Sequence, residues 1–221
     1  MELIFRKSRF YQLLLVSLLF SCQEQLYFEE AYCLKNVNVV DPVEGLMDGM
    51  TVVVKGNKIF KIGKKEDFRL SNKNNIIDGS NRFLIPGLWD SHVHFYFDRE
   101  LALHMPELFL SAGITSVRDT GGAFLYMDSI RQNSLNNPRT HPRVKIAGPL
   151  IDGNFNVYNG SVLPELSIRT RTVSESIAET ERLVAQGVDF LKAYEMLSPE
   201  QFEAIAAIAA RENLRLAGHV P

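Results

Sequence analysis

The residues best suited to chemistry are two histidines one residue apart, His92 and His94, at the end of an apolar run that begins at Phe83. On a β-strand, residues i and i+2 point to the same face, so both imidazoles and Asp90 would project together. Two such imidazoles can share one cation, and zinc binds imidazole nitrogen at about 2.0–2.1 Å. We expect this apolar strand to be buried on both faces, where a histidine pair needs a partner. The alternative is a polar pair on a solvent-facing strand.

Two further candidates lie where strands are predicted to end. Lys192 lies within the segment 188–194, and His219 follows the segment 214–218. Burial lowers the pKa of a lysine and makes its amine a usable nucleophile. The alternative for Lys192 is a strand-end side chain that extends into water. The active sites of parallel α/β barrels lie at the carboxyl ends of the strands, so these positions favour a shared site with the histidine pair.

The segment IPGLWDSHVH at 85–94 resembles the first barrel strand of the amidohydrolase superfamily, which has a short apolar run, Pro-Gly and then Asp-x-His-x-His. The resemblance extends from about Asn36 to the last residue. The turn Arg118-Asp119-Thr120-Gly121-Gly122 resembles the second-strand turn of the imidazolonepropionase-like and prolidase-like branch. We interpret this turn as a scaffold of the site, without a metal ligand.

The resemblance implies a metal-dependent hydrolase of a C–N bond in an amide, cyclic amide or peptide-like substrate. It implies one or two divalent ions, with Zn²⁺ expected, held by His92, His94 and His219. It also implies that Lys192 reacts with carbon dioxide and that the resulting carbamate bridges two ions. Asp90 would orient an imidazole, as carboxylates beside metal ligands often do; a structural hydrogen bond is the alternative. The family's proton-shuttling aspartate would lie beyond Pro221.

The substrate is expected to meet a long segment, residues 150–171, that is rich in Asn and Gly. Its position after the third barrel strand predicts a loop over the mouth of the barrel. Phe155 and Tyr158 from this loop, together with Tyr194 on the same strand face as Lys192, are therefore predicted to contact substrate.

Residues 32–82 predict a small β-sandwich module, with a hairpin turn at Gly56-Asn57 as its clearest feature. The resemblance implies that strands from a more distant part of the chain complete this module. Residues 83–221 alternate between strand and helix patterns, which predicts an α/β fold, the N-terminal part of a (β/α)₈ TIM-type barrel. Five strand patterns and four helix patterns are present, whereas a complete barrel takes about 250 residues. We therefore expect the chain to be truncated after about the fifth barrel strand.

The first 21 residues predict an export signal, because basic residues precede a short apolar run that ends before Cys22. The sequence LFSC at 19–22 resembles a bacterial lipobox, in which the cysteine carries lipid. Residues 22–31 would then be a tether, and the protein would be anchored in the periplasm or cell envelope. An ordinary secretory signal cut nearby is the alternative.

The formal net charge of -2, without a long basic run, gives no footprint for nucleic acid. The expected partners are a small-molecule or peptide-like substrate, the membrane through the lipid anchor, and further copies of the chain in a homo-oligomer. Two rival interpretations stay open. One is a truncated, catalytically inactive fragment, and the other is a ligand-binding lipoprotein that keeps the barrel.

Overall fold

The structure is a computed structural model that describes residues 25–219, so the predicted signal segment and Cys22 lie outside the described residues. The chain divides into two compact units after Pro86. The sequence predicted this boundary before Phe83, but Phe83 and Leu84 pair with a strand of the first unit, opposite Asn38 and Val39. The second unit therefore begins at Gly87.

The first unit is a small β-sandwich of seven strands among the described residues. The strands are β1 (Leu26–Phe28), β2 (Tyr32–Asp41), β3 (Gly45–Lys55), β4 (Lys58–Gly63), β5 (Phe68–Leu70), β6 (Asn75–Asp78) and β7 (Phe83–Leu84). The larger sheet has the order β4-β3-β2-β6, with β7 also paired to β2, and the smaller sheet pairs β1 with β5. Buried Phe28, Cys33, Val53 and Phe68 form the core between the two sheets.

Two local features of this unit bear on the sequence predictions. The hairpin at Gly56-Asn57 is confirmed, because β3 and β4 pair antiparallel on either side of it and Gly56 takes the positive φ of 58° that the turn requires. The predicted tether is wrong for part of its length. Leu26–Phe28 forms a strand parallel to β5, and the buried side chains of Phe28 and Ala31 join the core of the sandwich.

The second unit alternates strands with helices, as the sequence predicted. Its strands are β8 (Leu88–Val93), β9 (Ile114–Asp119), β10 (Arg143–Ile146), β11 (Leu150–Asp152), β12 (Ser167–Arg169), β13 (Phe190–Ala193) and β14 (Arg215–Gly218). Its helices are α1 (Met105–Ser111), α2 (Phe124–Asn136), α3 (Val173–Gln186) and α4 (Pro199–Arg211). All strand pairs in this unit are parallel. Within residues 25–219, no helix is long and apolar enough to cross a membrane.

Except for β12, which pairs with β11 on the side away from β13, neighbouring parallel strands follow one another in chain order. One sheet has the order β10-β9-β8, and the other has the order β12-β11-β13-β14. The two are linked because the Asp189 amide donates to the Ile146 carbonyl at 2.8 Å, while the Tyr194 amide donates to Ile151 at 2.9 Å. Strands β10 and β11 thus form one interrupted strand beside β13, with the break at Gly148. The predicted α/β fold with parallel strands is therefore present in the second unit.

The helix ends match the sequence signals. The Thr172 hydroxyl accepts a hydrogen bond from the Glu175 amide at the start of α3, and Gly187 ends that helix with a φ of 80°. Helix α4 begins with the predicted capping box, in which Ser198 and Gln201 each accept a backbone hydrogen bond from the other.

Strand β8 differs from its prediction. Leu88 and Trp89 on opposite faces are 47% and 50% exposed, so the strand is not buried on both faces. The reason is that β8 is an edge strand among the described residues, with β9 on one side only. Burial begins at its carboxyl end, where Val93 and Phe95 enter the core with Phe109 and Met127.

Candidate metal centre

The two histidines of the His-x-His pair converge at the carboxyl end of β8. Their Nε2 atoms lie 3.2 Å apart. Two nitrogen ligands of a tetrahedral zinc at about 2.0–2.1 Å would be separated by about 3.3 Å. The spacing of His92 and His94 therefore fits two imidazoles that share one cation.

The hydrogen bonds of His94 determine which of its ring nitrogens can bind the shared cation. Its Nδ1 lies 3.2 Å from the carbonyl oxygen of Gly121, which can only accept a hydrogen bond. The proton of the neutral ring therefore resides on Nδ1, and Nε2 keeps its lone pair. The Thr120 hydroxyl lies 3.3 Å from that Nε2 and can donate to it. A histidine that binds a metal through one ring nitrogen usually donates a hydrogen bond from the other, often to a backbone carbonyl.

The electrostatic setting favours neutral rings. Burial lowers the pKa of His92, and the charges of Lys192 and Arg118 lower it further. Burial is also the main influence that lowers the pKa of His94, and it is opposed by the hydrogen bond to Gly121. Both imidazoles are thus suited to binding a cation, since only the unprotonated nitrogen can act as a ligand.

Asp90 forms a structural hydrogen bond, which was the alternative to the orientation of an imidazole. Its carboxylate accepts a hydrogen bond of 3.1 Å from the backbone amide of His92. A carboxylate two residues before an amide forms this local bond readily, so Asp90 shapes the backbone of β8 near the pair. The alternative structural role is the one that the structure shows.

The turn after β9 forms the scaffold around the pair, in agreement with the sequence interpretation of Asp119. This side chain is fully buried and accepts hydrogen bonds from the amides of Phe95 at 2.7 Å and Gly121 at 2.9 Å. It therefore ties the segment after His94 to the residue whose carbonyl faces His94. Burial raises the pKa of Asp119 to about 7, against the lowering effect of the two amides.

Lys192 lies at the centre of strand β13 with only 6% of its surface exposed, so its predicted burial is confirmed. Burial lowers the pKa of its amine, and the charge of Arg118 lowers it further. Its ammonium lies 6.0 Å from the centre of the Tyr194 ring. No carboxylate within residues 25–219 forms an ion pair with it. This is the setting in which a lysine amine becomes nucleophilic.

His219 follows β14, the last strand among the described residues. It is exposed, its Nδ1 is 3.8 Å from Glu195, and its ring lies edge-on to Tyr194 with the centroids 5.0 Å apart. Its charge still contributes to lowering the pKa of His92. Across the described part of the chain, no three His, Cys, Asp or Glu side chains converge as a metal site. The structure thus brings together two of the three predicted histidine ligands.

The aromatic residues predicted to contact substrate separate into two groups. Tyr158 and Tyr194 pack edge to face at 5.8 Å, and burial followed by the Tyr158 hydroxyl raises the pKa of Tyr194 to about 12. Tyr194 and His219 also line a cavity of about 540 Å³. Phe155, in contrast, is 81% exposed and has no ring contact among the described residues.

The segment predicted to be a loop, residues 150–171, is partly ordered by strand pairing. Strands β11 and β12 pair in parallel at its two ends. Fully buried Asp152 then accepts amide hydrogen bonds from Gly153, Val157 and Met196 at 2.9, 3.0 and 2.9 Å. Asp152 was not predicted as a functional residue, although an acidic residue that ends an apolar strand is a usable signal in the sequence. Its carboxylate fixes the start of this segment beside the segment that follows β13.

Arg118 is a second residue that sequence analysis placed only in a turn motif. Its Nε donates to the Ser91 carbonyl at 2.9 Å, and its guanidinium stacks 5.0 Å from the centre of the Phe190 ring. Phe190 and Lys192 are two residues apart on β13 and therefore share a strand face. Arg118 thus supplies a positive charge between the histidine pair and Lys192, as its effects on the pKa values of His92 and Lys192 show.

Comparison with solved structures finds the same fold in proteins of low sequence identity. A prolidase complexed with N-methylphosphonate-L-proline gives a TM-score of 0.71 at 21% identity, covering 86% of this chain and 56% of that chain. A Xaa-Pro dipeptidase with methionine in its active site gives 0.72 at 20% identity, with 86% and 57% covered. The ochratoxinase of A. niger gives 0.70 at 17% identity, with 87% and 56% covered. The chain spans about half the length of these proteins.

Comparison with curated sequences finds dihydroorotases over a short segment. The enzyme of Clostridioides difficile (strain 630) is 42% identical over 62 residues, which are 28% of this chain and 14% of the enzyme. The enzyme of Streptococcus thermophilus (strain CNRZ 1066) is 40% identical over 62 residues, with the same shares. No family model matches the chain. Dihydroorotases belong to the amidohydrolase superfamily, so the sequence match and the shared fold together confirm the resemblance to that superfamily.

Proposed function

We propose that the chain is the N-terminal portion of a metal-dependent amidohydrolase that hydrolyses a C–N bond in an amide, cyclic amide or peptide-like substrate. The observation that carries the proposal is the pair of Nε2 atoms of His92 and His94, 3.2 Å apart at the carboxyl end of β8. The hydrogen bond from His94 Nδ1 to Gly121 supports the same role, because it leaves Nε2 free to bind a cation.

The residues that would hold a divalent ion, with Zn²⁺ expected, are His92, His94, Lys192 and His219. Such an ion lowers the pKa of a bound water toward about 7 and polarises a carbonyl group. The contribution of the chain itself is orientation. Asp119 fixes the two backbone segments on either side of His94, and Arg118 brings a positive charge near the same point.

Lys192 is proposed to carry a carbamate formed with carbon dioxide. The reaction requires the unprotonated amine, and burial favours that form by lowering the pKa of Lys192. The carbamate would give this part of the site the negative charge that the described residues around Lys192 do not provide. Each of the two carbamate oxygens could then bind one divalent ion.

A peptide-like substrate is favoured over other amides by the solved relatives. Among them, a prolidase is complexed with a proline derivative and a Xaa-Pro dipeptidase holds methionine in its active site. In this chain, Tyr194 beside Lys192 lines a cavity of about 540 Å³ with Leu197 and Phe202, which suits an apolar side chain of a substrate.

The proposal is tested with a panel of dipeptides and N-acyl amino acids, using the protein that contains this chain in full. The wild-type protein should lose its hydrolytic activity when a chelator removes the metal, and it should regain the activity when zinc is added. Lys192→Ala should lose about half of the bound metal, and short carboxylic acids should restore part of its activity by replacing the carbamate. Arg139→Ala, a change of equal charge on an exposed turn, is the control. Hydrolysis that is insensitive to chelation and to Lys192→Ala would contradict the proposal.

The proposed location is the periplasm or cell envelope, with a lipid on Cys22. The sequence pattern of a basic segment, a short apolar run and LFSC supports it. Homo-oligomer formation is also proposed on the resemblance alone, and sedimentation analysis tests it.

The second candidate function is a ligand-binding lipoprotein that keeps the barrel. It is favoured because no three His, Cys, Asp or Glu side chains converge as a metal site in the described part of the chain, where His219 instead lies 3.8 Å from Glu195. Metal analysis separates the two candidates, because the binding protein would hold its ligand without a stoichiometric divalent ion.

A further inference from the structure

Strand β11 ends at Asp152, whose fully buried carboxylate joins two separate segments of the second unit. One of its oxygens accepts hydrogen bonds from the amides of Gly153 and Met196, both at 2.9 Å, and the other accepts from the Val157 amide at 3.0 Å. Gly153 and Val157 lie between β11 and β12, whereas Met196 follows β13. A carboxylate accepts stronger hydrogen bonds than a neutral group does, so Asp152 holds the two segments against each other.

Backbone contacts reinforce this junction. Gly153 lies so close to the segment after β13 that an added Cβ atom would clash with the Met196 carbonyl, so a larger residue there would displace the backbone. At the other end of the same segment, the Thr170 amide and hydroxyl donate to the Asp152 carbonyl at 2.9 and 2.8 Å. Both ends of the segment 153–169 are therefore tied to Asp152.

The junction places side chains that the substrate is expected to meet. Tyr158 directly follows the bonded amide of the first segment, and its ring packs edge to face on Tyr194 with the centroids 5.8 Å apart. Met196 lies between Tyr194 and Leu197, which both line the cavity of about 540 Å³. The carboxylate of Asp152 thus fixes both the Tyr158 ring and one wall of this cavity.

We infer that Asp152 is a positioning residue that sets the preference of the proposed hydrolase for an apolar substrate side chain. It acts through the ring pair of Tyr158 and Tyr194 and through the cavity wall at Leu197. The inference rests on the proposed function, in which this cavity accepts a side chain of the substrate. The hydrogen bonds of the Asp152 carboxylate reach neither the histidine pair nor Lys192, so its effect falls on substrate binding and not on the chemical step.

Asp152→Asn in the protein that contains this chain in full is the sharpest test, because it keeps the size of the side chain and changes one acceptor. The amide oxygen can still accept from Gly153 and Met196, but the NH₂ group is a donor and cannot accept from Val157. Hydrogen exchange should become about tenfold faster or more at the Val157 amide and stay slow at the Met196 amide.

Hydrolysis of two dipeptides, with leucine or with glycine at the same position, measures the preference. Asp152→Asn should raise KM for the leucine dipeptide about tenfold, raise KM for the glycine dipeptide much less and leave kcat unchanged. Tyr158→Ala should have the same effect, and the double variant should show little further change because both substitutions act through one contact. Val144→Ala controls for lost stability, since Val144 is buried in a separate core cluster, and should leave the ratio of the two KM values unchanged.

Faster exchange at Val157 with an unchanged ratio of the two KM values would overturn the inference and leave Asp152 with a structural role only. Additive effects of Asp152→Asn and Tyr158→Ala, or an equal change in Val144→Ala, would also overturn it. If the wild type hydrolyses neither dipeptide, the proposed function fails, and calorimetric titration of the same two dipeptides decides the preference by binding alone.

Discussion

Replacing Asp119 by Ala should destabilise the protein at low pH and much less at high pH. The substitution leaves the buried amides of Phe95 and Gly121 without their acceptor. Each lost acceptor costs about 1–3 kcal/mol, so the expected loss from both is about 2–6 kcal/mol. This is the expected loss in free energy of unfolding at a pH where Asp119 of the wild type is protonated.

The pH dependence follows from the raised pKa of Asp119. The pKa rises from 3.8 to about 7 because burial disfavours the charged form. The folded protein then binds this proton more tightly than the unfolded chain, so the stability that it contributes is complete below about pH 4 and is lost as the pH rises through 7. The rise corresponds to about 4 kcal/mol. The variant has no carboxyl group to ionise, so its stability does not fall in this way. Its free energy of unfolding should approach that of the wild type at about pH 8.

Urea unfolding at about pH 4 and about pH 8 measures the difference between wild type and variant at each pH. Asp98→Ala is the matched control, since Asp98 also accepts two amide hydrogen bonds, at 3.0 and 2.9 Å, but is exposed. Its freed amides can bond to water, so a small cost at both pH values is expected. A cost of Asp119→Ala that is equal at the two pH values would refute the reasoning.

Four further substitutions test individual residues. Ser198→Ala removes the cap of α4 and should lower the free energy of unfolding by about 1 kcal/mol in urea titration; an unchanged midpoint would contradict the role of the cap. Phe95→Ala should lower the free energy of unfolding by about 3–5 kcal/mol, because the ring is fully buried. Phe155 is exposed, so Phe155→Ala should alter KM without altering stability. The reverse pattern would reject both assignments. Cys22→Ser should move the protein from the membrane fraction to the soluble fraction, with an acylated Cys22 in the wild type by mass spectrometry; an unmodified wild-type N-terminus would remove the anchor.

The sequence predicted features that depend on local chemistry. The hairpin at Gly56-Asn57, the caps at Thr172 and Ser198 and the burial of Lys192 are all present. Each is set by a turn residue, by a hydroxyl next to a helix or by the apolar neighbours of one strand. The resemblance to the amidohydrolase superfamily is also confirmed, because the segment at 85–94 carries it in a few adjacent residues.

The sequence could not predict features that depend on distant partners. The exposure of Leu88 and Trp89 follows from the edge position of β8, and the strand at Leu26–Phe28 follows from its pairing with β5. For Asp90 two roles were open, the orientation of an imidazole and a structural hydrogen bond, and the structure shows its carboxylate accepting from the backbone amide of His92. The contacts of His219 with Glu195 and Tyr194 likewise join the ends of two strands, which residue spacing does not encode.

The central claim is that His92 and His94 bind one divalent ion. The direct measurement is the metal content of purified protein by mass spectrometry for the wild type, His92→Ala, His94→Ala and the control His104→Ala, whose side chain is exposed away from the pair. We predict stoichiometric metal in the wild type and in His104→Ala, and a large loss of metal in His92→Ala and in His94→Ala. Unchanged metal content in both His92→Ala and His94→Ala would contradict the site.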